Sequence, residues 1–187
     1  MILLLSGGLD SVVLLYELIN QGISVRALLF SYGQRHRREL FWASYHCERV
    51  KITRKTFEIP TLPGSSLTDV DAPGVVVPNR NAIFLSLAAN YAVQVGETTV
   101  AYGANKDDGK VFADCRPAFV AAFNELLDAA GVEVEIVAPF ITKTKREIAE
   151  RAKILGVSPE ESWSCYAGGN EPCGECLACQ QRAAALK

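Results

Sequence analysis

No apolar run in this chain approaches the roughly 18 residues that a membrane-spanning helix needs. The first residues carry no basic segment and no small-residue cleavage site, so no secretory signal is expected. An excess of charge is also lacking. The net charge is −2 and the pI is about 5.8. That balance argues against a protein whose main work is gripping phosphate backbones, and no direct nucleic-acid binding is expected. There is no internal repeat and no low-complexity tract. What is present is an ordinary soluble composition, 49% hydrophobic and 21% charged over 187 residues. It suits one domain, or one domain with an appendage, in the cytoplasm and away from membranes.

Cysteine is abundant for such a setting. Cys47 and Cys115 stand apart, but Cys165, Cys173, Cys176 and Cys179 fall within fifteen residues. Disulfides are rare in a reducing compartment, where clustered thiols are more often metal ligands. The spacing C-x7-C-x2-C-x2-C supplies four thiolates for a tetrahedral Zn²⁺, and Gly168, Gly169 and Gly174 let the chain bend round it. An iron–sulfur cluster also takes four thiolates, and the spacing leaves it open. With every ligand position filled by cysteine, the expected zinc role is structural.

Strands and helices alternate. Ile2 to Leu5 reads as a short buried strand, followed by a helix from Asp10 to Asn20. Val25 to Phe30 is a second strand, Arg35 to Glu48 a helix, and Phe57 with Ile59 a short third strand. Pro60 to Pro78 holds four prolines and two glycines and reads as a long loop. Asn79 to Gly96 is a helix by spacing, and Thr98 to Tyr102 a fourth strand. Asp114 is placed to cap the next helix, with Pro117 in its first turn. Val134 to Val137 is a fifth strand, and Thr144 with Glu147 predicts a capping box for a helix ending at Gly156. The pattern predicts an α/β fold: a doubly wound, mostly parallel five-stranded sheet with helices on both faces and a C-terminal zinc-binding segment. Residues 1–156 would form the main domain and residues 157–187 the zinc-binding segment packed on it. Ligands in such sheets sit beyond the carboxyl ends of the strands, which here lead into Ser6–Ser11, Ser31–His36 and Gly103–Asp114.

The first of these loops, "LLLSGGLDSVV" from residue 3, carries the most chemistry. Gly7 and Gly8 allow positive φ and close approach of a ligand to the backbone. Successive N–H groups at a helix start form an anion nest, and Ser6 and Ser11 add hydroxyl donors. Asp10 can hold a Mg²⁺ that bridges phosphates. The loop lacks the GK[ST] ending of a Walker A motif and is not the GxGxxG dinucleotide pattern. The alternative is a plain strand-to-helix turn capped by Asp10. The full string SGGLDS after a buried first strand resembles the loop of the ATP-pyrophosphatase superfamily. Leu5, Ser6, Gly7, Gly8, Leu9, Asp10 and Ser11 are therefore the expected ATP-binding stretch.

Further blocks narrow the resemblance. "SYGQRHRREL" at 31, "VPNRNAIFLSLAANYA" at 77, "DCRPAF" at 114, "TKTKREI" at 142 and "SWSCYAGGNEPCGECLAC" at 162 follow in order. With them, most of the chain resembles the 7-cyano-7-deazaguanine synthase family of queuosine precursor synthesis. The chain differs in having Asn79 where that family usually has glycine, "KDDGKVFA" at 106 in place of an aromatic, glycine-containing stretch, and a shortened region between Cys47 and Asn79.

The resemblance implies a ligase that consumes ATP with Mg²⁺. A carboxylate on a 7-deazaguanine becomes an acyl adenylate, ammonia displaces AMP to give an amide, and a second ATP carries the amide to the nitrile. The expected ring-binding groups are Gln34, Arg35, Arg80, Asn81, Asp108, Asp114 and Arg116. Asp10, Ser11, Arg35 and Asp114 are expected to take part in the chemistry, and a homodimer is implied. An enzyme that stops at the amide, one that adenylates another acceptor, and a non-catalytic zinc-containing partner protein remain alternatives. Arg37 and Arg38 read as a solvated helix face, Trp163 and Tyr166 as cover for the metal loop, and Cys115 as a packed thiol.

Overall fold

The computed structural model describes residues 1–69 and 71–187. Five strands form one sheet in the order β3-β2-β1-β4-β5: β1 (Ile2–Leu4), β2 (Arg26–Ser31), β3 (Arg54–Glu58), β4 (Thr99–Ala101) and β5 (Glu135–Val137). Every ladder is parallel. The registers run from Ile2 opposite Arg26 on one side of β1 to Ile2 opposite Val100 on the other.

Buried side chains alternate between two cores along the strands. Ile2, Leu28, Phe30 and Val100 join one cluster, with Phe84 and Phe123. Leu3, Ala27, Leu29 and Ala101 join the other, with Val13, Leu14 and Ile148. These contacts place α3 (Arg80–Val95) and α4 (Pro117–Ala129) on one face, and α1 (Leu9–Asn20), α2 (Arg38–Arg49) and α5 (Lys145–Ile154) on the opposite face. Parallel strands covered on both faces are continuously apolar for this reason. The doubly wound reading holds, and the sheet is parallel throughout. A final helix, α6 (Leu177–Ala185), follows the cysteines and meets α5. No helix among the described residues is long and apolar enough to cross a membrane.

Three local expectations are corrected. The second helix begins at Arg38 rather than Arg35, because residues 32–37 are tied into the loop by Gln34. Asp114 does not cap α4: it lies in a short 3-10 turn, Ala113–Cys115, and Arg116 occupies the cap position with no side-chain cap bond. The strands β1 and β4 are three residues each, shorter than the apolar runs suggested. The predicted capping box is present. Thr144 Oγ1 accepts from the Glu147 backbone N–H, and the Glu147 carboxylate accepts from the Thr144 N–H at 2.8 Å.

Asn79 explains one departure from the family pattern. It precedes α3 with φ of +61°, a left-handed conformation that favours glycine and that asparagine adopts better than most residues.

Candidate active site

The chain leaves β1 and winds outward to β2 and β3, then crosses back to β4 beside β1. The direction of winding reverses between β1 and β4, and that crevice is where such sheets bind ligands. The glycine loop after β1 meets the loop after β4 there. A Cβ on Gly103 would stand 3.2 Å from the Ser11 backbone nitrogen. A cavity of about 260 Å³ opens over the two loops.

The glycine loop is built for close packing. Gly7 has φ of +90°, and a Cβ there would lie 1.9 Å from the Glu39 carbonyl oxygen. Gly8 occupies the N-cap position of α1 with no side-chain cap bond, so the first helical N–H groups lack the usual side-chain partner. Ser11 Oγ takes the Gly7 N–H at 3.2 Å and donates to the Gly8 carbonyl at 3.0 Å. An uncapped helix start beside a cavity suits an anion.

Next to it stands a charge cluster. Lys145 Nζ lies 3.0 Å from Asp10 Oδ2 and 3.0 Å from Asp108. Asn105 Nδ2 donates to Asp108 Oδ2 at 2.7 Å and to Asp10 Oδ2 at 3.3 Å. Burial pushes the Asp10 carboxyl above its usual range, Lys145 opposes that shift, and Asp108 adds to it. Both carboxylates raise the Lys145 ammonium above its ordinary value despite burial. No role was expected for Lys145, although "TKTKREI" contains it. The available signal was electrostatic: it is the first residue of α5, where the helix dipole disfavours a cation. Arg80, first residue of α3, breaks the same rule.

Arg80, Asn81 and Asp108 line the cavity as the sequence reading expects of ring-binding groups. Arg80 donates to the Tyr32 hydroxyl at 3.2 Å. The lining includes Leu5, Ser6, Gly8, Leu9, Asp10 and Ser11, while Gly7 lies behind it against α2. The other expected residues stand elsewhere. Gln34 is fully buried and spends its amide on the Tyr32 N–H, the Phe30 carbonyl and Glu39. Arg35 is exposed and reaches the carbonyls of Ser66 and Ala167, tying two loops together. The Asp114 carbonyl accepts from the Tyr102 hydroxyl at 3.0 Å, and Arg116 Nε donates to the Gly109 carbonyl at 2.8 Å. Asp114 does not line this cavity, and Arg116 lines a separate one with Lys106, Lys110 and Ile141.

His36 and Glu39 also line the cavity, 3.4 Å apart. Burial lifts the Glu39 carboxyl to about 7. Burial, with Arg80 and Arg35 nearby, lowers His36 to about 4. His36 Nδ1 is buried without a partner among the described residues. Cys115 is packed, and burial raises its thiol to about 12. Arg37 and Arg38 are both exposed as expected, and the Arg38 guanidinium lies 4.9 Å over the Trp163 ring.

The cysteine segment closes the far wall. The Trp163 N–H donates to the Gly7 carbonyl at 2.9 Å, which fixes the segment to the glycine loop. Trp163, Ser164, Tyr166 and Arg182 line the cavity. The sulfurs of Cys165, Cys173, Cys176 and Cys179 all lie within 4.8 Å of one another and could hold a metal ion. Backbone N–H groups of Ala167 and Cys173 point at Cys165 Sγ, at 3.4 and 3.3 Å. The Cys176 N–H does the same for Cys173 Sγ at 3.4 Å. The backbone N–H groups of Cys176 and Glu175 lower the Cys173 thiol to about 6, whereas burial raises the Cys165 thiol against its two donors.

Comparisons with known proteins identify relatives of the chain and of its fold. The 7-cyano-7-deazaguanine synthase of Hahella chejuensis is 44% identical over 193 residues, covering 95% of this chain and 84% of that protein. The enzyme of the same name from Methanoregula boonei is 39% identical over 204 residues, covering 100% of this chain and 93% of that one. Among solved structures, the U34-tRNA thiolase NcsA from Methanococcus maripaludis, with its [4Fe-4S] cluster, superposes with a TM-score of 0.61 at 19% identity. That match covers 99% of this chain and 62% of the thiolase. An NH3-dependent NAD synthetase from Campylobacter jejuni gives 0.52 at 22% identity, covering 86% of this chain and 65% of the synthetase. These structures share the fold. The model of the queuosine biosynthesis protein QueC matches residues 1–187, and the chain belongs to that family.

Proposed function

We propose that this chain uses ATP to convert 7-carboxy-7-deazaguanine and ammonia to 7-cyano-7-deazaguanine. One observation carries the reading: at the switch point of the sheet, an uncapped glycine loop meets two carboxylates bridged by Lys145. This is a place for a polyphosphate and its counter-ions, in a family whose relatives bear the synthase name.

The triphosphate lies along Ser6 to Ser11, with its oxygens on the first N–H groups of α1. Asp10, whose hydrogen bonds use Oδ2 alone, would hold Mg²⁺. That ion would supply charge neutralisation on the phosphates. Lys145 adds a second cation, held in place before the reaction by Asp10 and Asp108. The acceptor's carboxylate oxygen attacks the α-phosphorus and pyrophosphate leaves. Ammonia then displaces AMP to give the amide. A second ATP activates the amide oxygen, and elimination gives the nitrile. Arg80, Asn81 and Asp108 offer donors and acceptors for the ring edge, and Tyr32 and Phe84 offer aromatic walls. Arg35 acts by holding its loop against the cysteine segment. Gln34, Asp114 and Arg116 act through loop shape.

The cysteine site takes one Zn²⁺ in this reading. A tetrahedral ion with metal–sulfur bonds of about 2.3 Å needs sulfurs about 3.8 Å apart. The span of at most 4.8 Å is close to that. An iron–sulfur cluster places its thiolates on separate irons and would spread them further. A homodimer in the cytoplasm completes the reading.

The test is incubation with ATP, Mg²⁺, ammonia and 7-carboxy-7-deazaguanine, read by mass spectrometry and AMP release. Nitrile is the expected product. Amide alone would make the chain an enzyme that stops halfway. No AMP would refute the reading in favour of a non-catalytic partner.

A further inference from the structure

We propose that Arg182 is a catalytic residue that holds the leaving pyrophosphate, so that the helix following the cysteines forms part of the phosphate site. This inference rests on the nucleotide reading above and assigns a residue to it that the glycine loop alone does not suggest.

Arg182 lies on α6 and lines the cavity together with Ser6, Gly8 and Asp10. Its guanidinium is held by neutral acceptors only. Nη1 donates to Ser162 Oγ at 2.9 Å and to Ser164 Oγ at 3.2 Å, and Nη2 donates to the Pro159 carbonyl. Among the described residues it has no ion pair. The contrast is with Lys145, which has two carboxylates, and Arg151, which has Glu17 at 2.5 Å.

A half-buried cation with no carboxylate at ion-pair distance is costly, and burial lowers the Arg182 pKa although Glu160, Cys179 and Asp10 oppose the shift from further off. The cost falls when an anion arrives. A guanidinium presents a planar fork that matches phosphate oxygens, and its three bonds to fixed acceptors already orient it. Lys145 stands on α5 and Arg182 on α6, so one cation comes from each part of the wall. Lys145 is in contact with Asp10 and Asp108, whereas no carboxylate among the described residues touches the Arg182 guanidinium. The leaving group gains negative charge as the bond to the α-phosphorus breaks. A cation beside it that is not already in a contact ion pair stabilises that change most. Cys179 lies three residues before Arg182, so a metal at the cysteines fixes the helix turn that aims it.

The probe is inorganic pyrophosphate with Mg²⁺, titrated calorimetrically into the metal-loaded full chain. Arg182→Gln should weaken pyrophosphate binding about ten- to a hundredfold, as loss of a charged hydrogen-bonding partner does. Metal content and melting temperature should be retained, and the acceptor KM should be unchanged. Unchanged pyrophosphate affinity, or a raised acceptor KM instead, would overturn the assignment. A second measurement needs no variant. In wild-type protein, pyrophosphate should slow phenylglyoxal modification of Arg182, mapped by mass spectrometry, while exposed Arg37 reacts as before. Equal rates at Arg182 would overturn the proposal even if Arg182→Gln failed to fold. Pyrophosphate binding that depends on Arg182 in a chain that releases no AMP would sink the synthase reading and overturn the catalytic role, leaving Arg182 as a pyrophosphate-binding residue only.

Discussion

Replacing Lys145 with methionine removes one cation from between two carboxylates and keeps most of the side-chain volume. Both ion pairs are 3.0 Å long. At an effective dielectric constant of about 20, each such pair is worth roughly 5 kcal/mol before desolvation is counted. The three side chains are only 17–22% exposed, so desolvation offsets much of that gain. Leaving a buried charge without its partner costs about 3 kcal/mol at pH 8. The cost should depend on pH. Without Lys145, burial and Asp108 raise the Asp10 carboxyl further above 3.8. The folded variant then holds a proton that the unfolded chain gives up, so its stability falls as pH rises through the folded value. The deficit against wild type should therefore be larger at pH 8 than at pH 5. Mg²⁺ can take the vacated place between Asp10 and Asp108, so it should stabilise the variant more than wild type. Adenylation should drop by about 10²-fold or more even with Mg²⁺ present. Urea unfolding at pH 5 and 8, with and without Mg²⁺, reads all but the last, and AMP release reads that. A deficit that ignores both pH and Mg²⁺ would refute the idea that the three charges act as one electrostatic unit.

Other outcomes follow from the same geometry. Gly7→Ala should abolish AMP formation and destabilise the fold by more than about 2 kcal/mol, because its Cβ would meet the Glu39 carbonyl at 1.9 Å; wild-type melting would contradict this. Stripping the metal with a chelator should weaken ATP binding, since Trp163 transmits the cysteine segment's position to Gly7 through a 2.9 Å bond. Calorimetry on the stripped chain checks it, and unchanged affinity would uncouple the two sites. His36 is lowered to about 4, so its burial makes stability rise with pH from about 4 to 6.5. Glu39 is raised to about 7, so it makes stability fall between 4.5 and 7. The two effects oppose each other, and Glu39→Gln should reveal the His36 rise, about 3 kcal/mol across its window. Parallel stability profiles for the variant and the parent would count against the Glu39 shift, and a variant profile that does not rise between pH 4 and 6.5 would count against the His36 shift. Asn79→Gly should hold or raise the melting temperature, while Asn79→Ala should cost about 1 kcal/mol at its φ of +61°.

The fold and the two ends of the candidate site, the glycine loop and the cysteine group, could be located in the sequence because their signals are local. A buried apolar triplet followed by SGGLDS can hardly be anything but a strand entering a helix. The capping box at Thr144 and Glu147 is a spacing rule that needs no tertiary knowledge. Four cysteines within fifteen residues declare their proximity directly. The middle of the site was harder, because its residues act through side-chain directions that loops decide. Gln34 sits in a motif beside Arg35 and His36, yet its amide folds back to close the turn after β2. Only His36 of those three reaches the cavity wall. Asp114 looked like a helix cap because aspartate before proline often is one. Here the Tyr102 hydroxyl binds its carbonyl and a 3-10 turn takes up the residue, which moves the helix start past it.

Lys145 and Arg80 mark what a purely local reading overlooks. Each is a cation at the first position of a helix, where the backbone's own field opposes it. A single such residue is unremarkable on an exposed helix. Two of them, on helices that enter the sheet from opposite faces and both lining the same crevice, point to negative charge outside the helices that offsets the local cost. For Lys145 part of that charge is visible as Asp10 and Asp108. For Arg80 the neighbours are the Tyr32 hydroxyl and, further off, Glu39 and Asp114. The acceptor's carboxylate, beside the ring edge that Arg80 also faces in the proposed reading, is the kind of group that would complete its surroundings. The cavity then divides by charge: Lys145 with Asp10 and Asp108 on the α5 side, and Arg80 with Tyr32 on the α3 side. An Arg80→Gln variant should accordingly raise the KM of the carboxylate acceptor about tenfold, with little effect on pyrophosphate affinity. The reverse pattern would place the acceptor on the other side of the crevice.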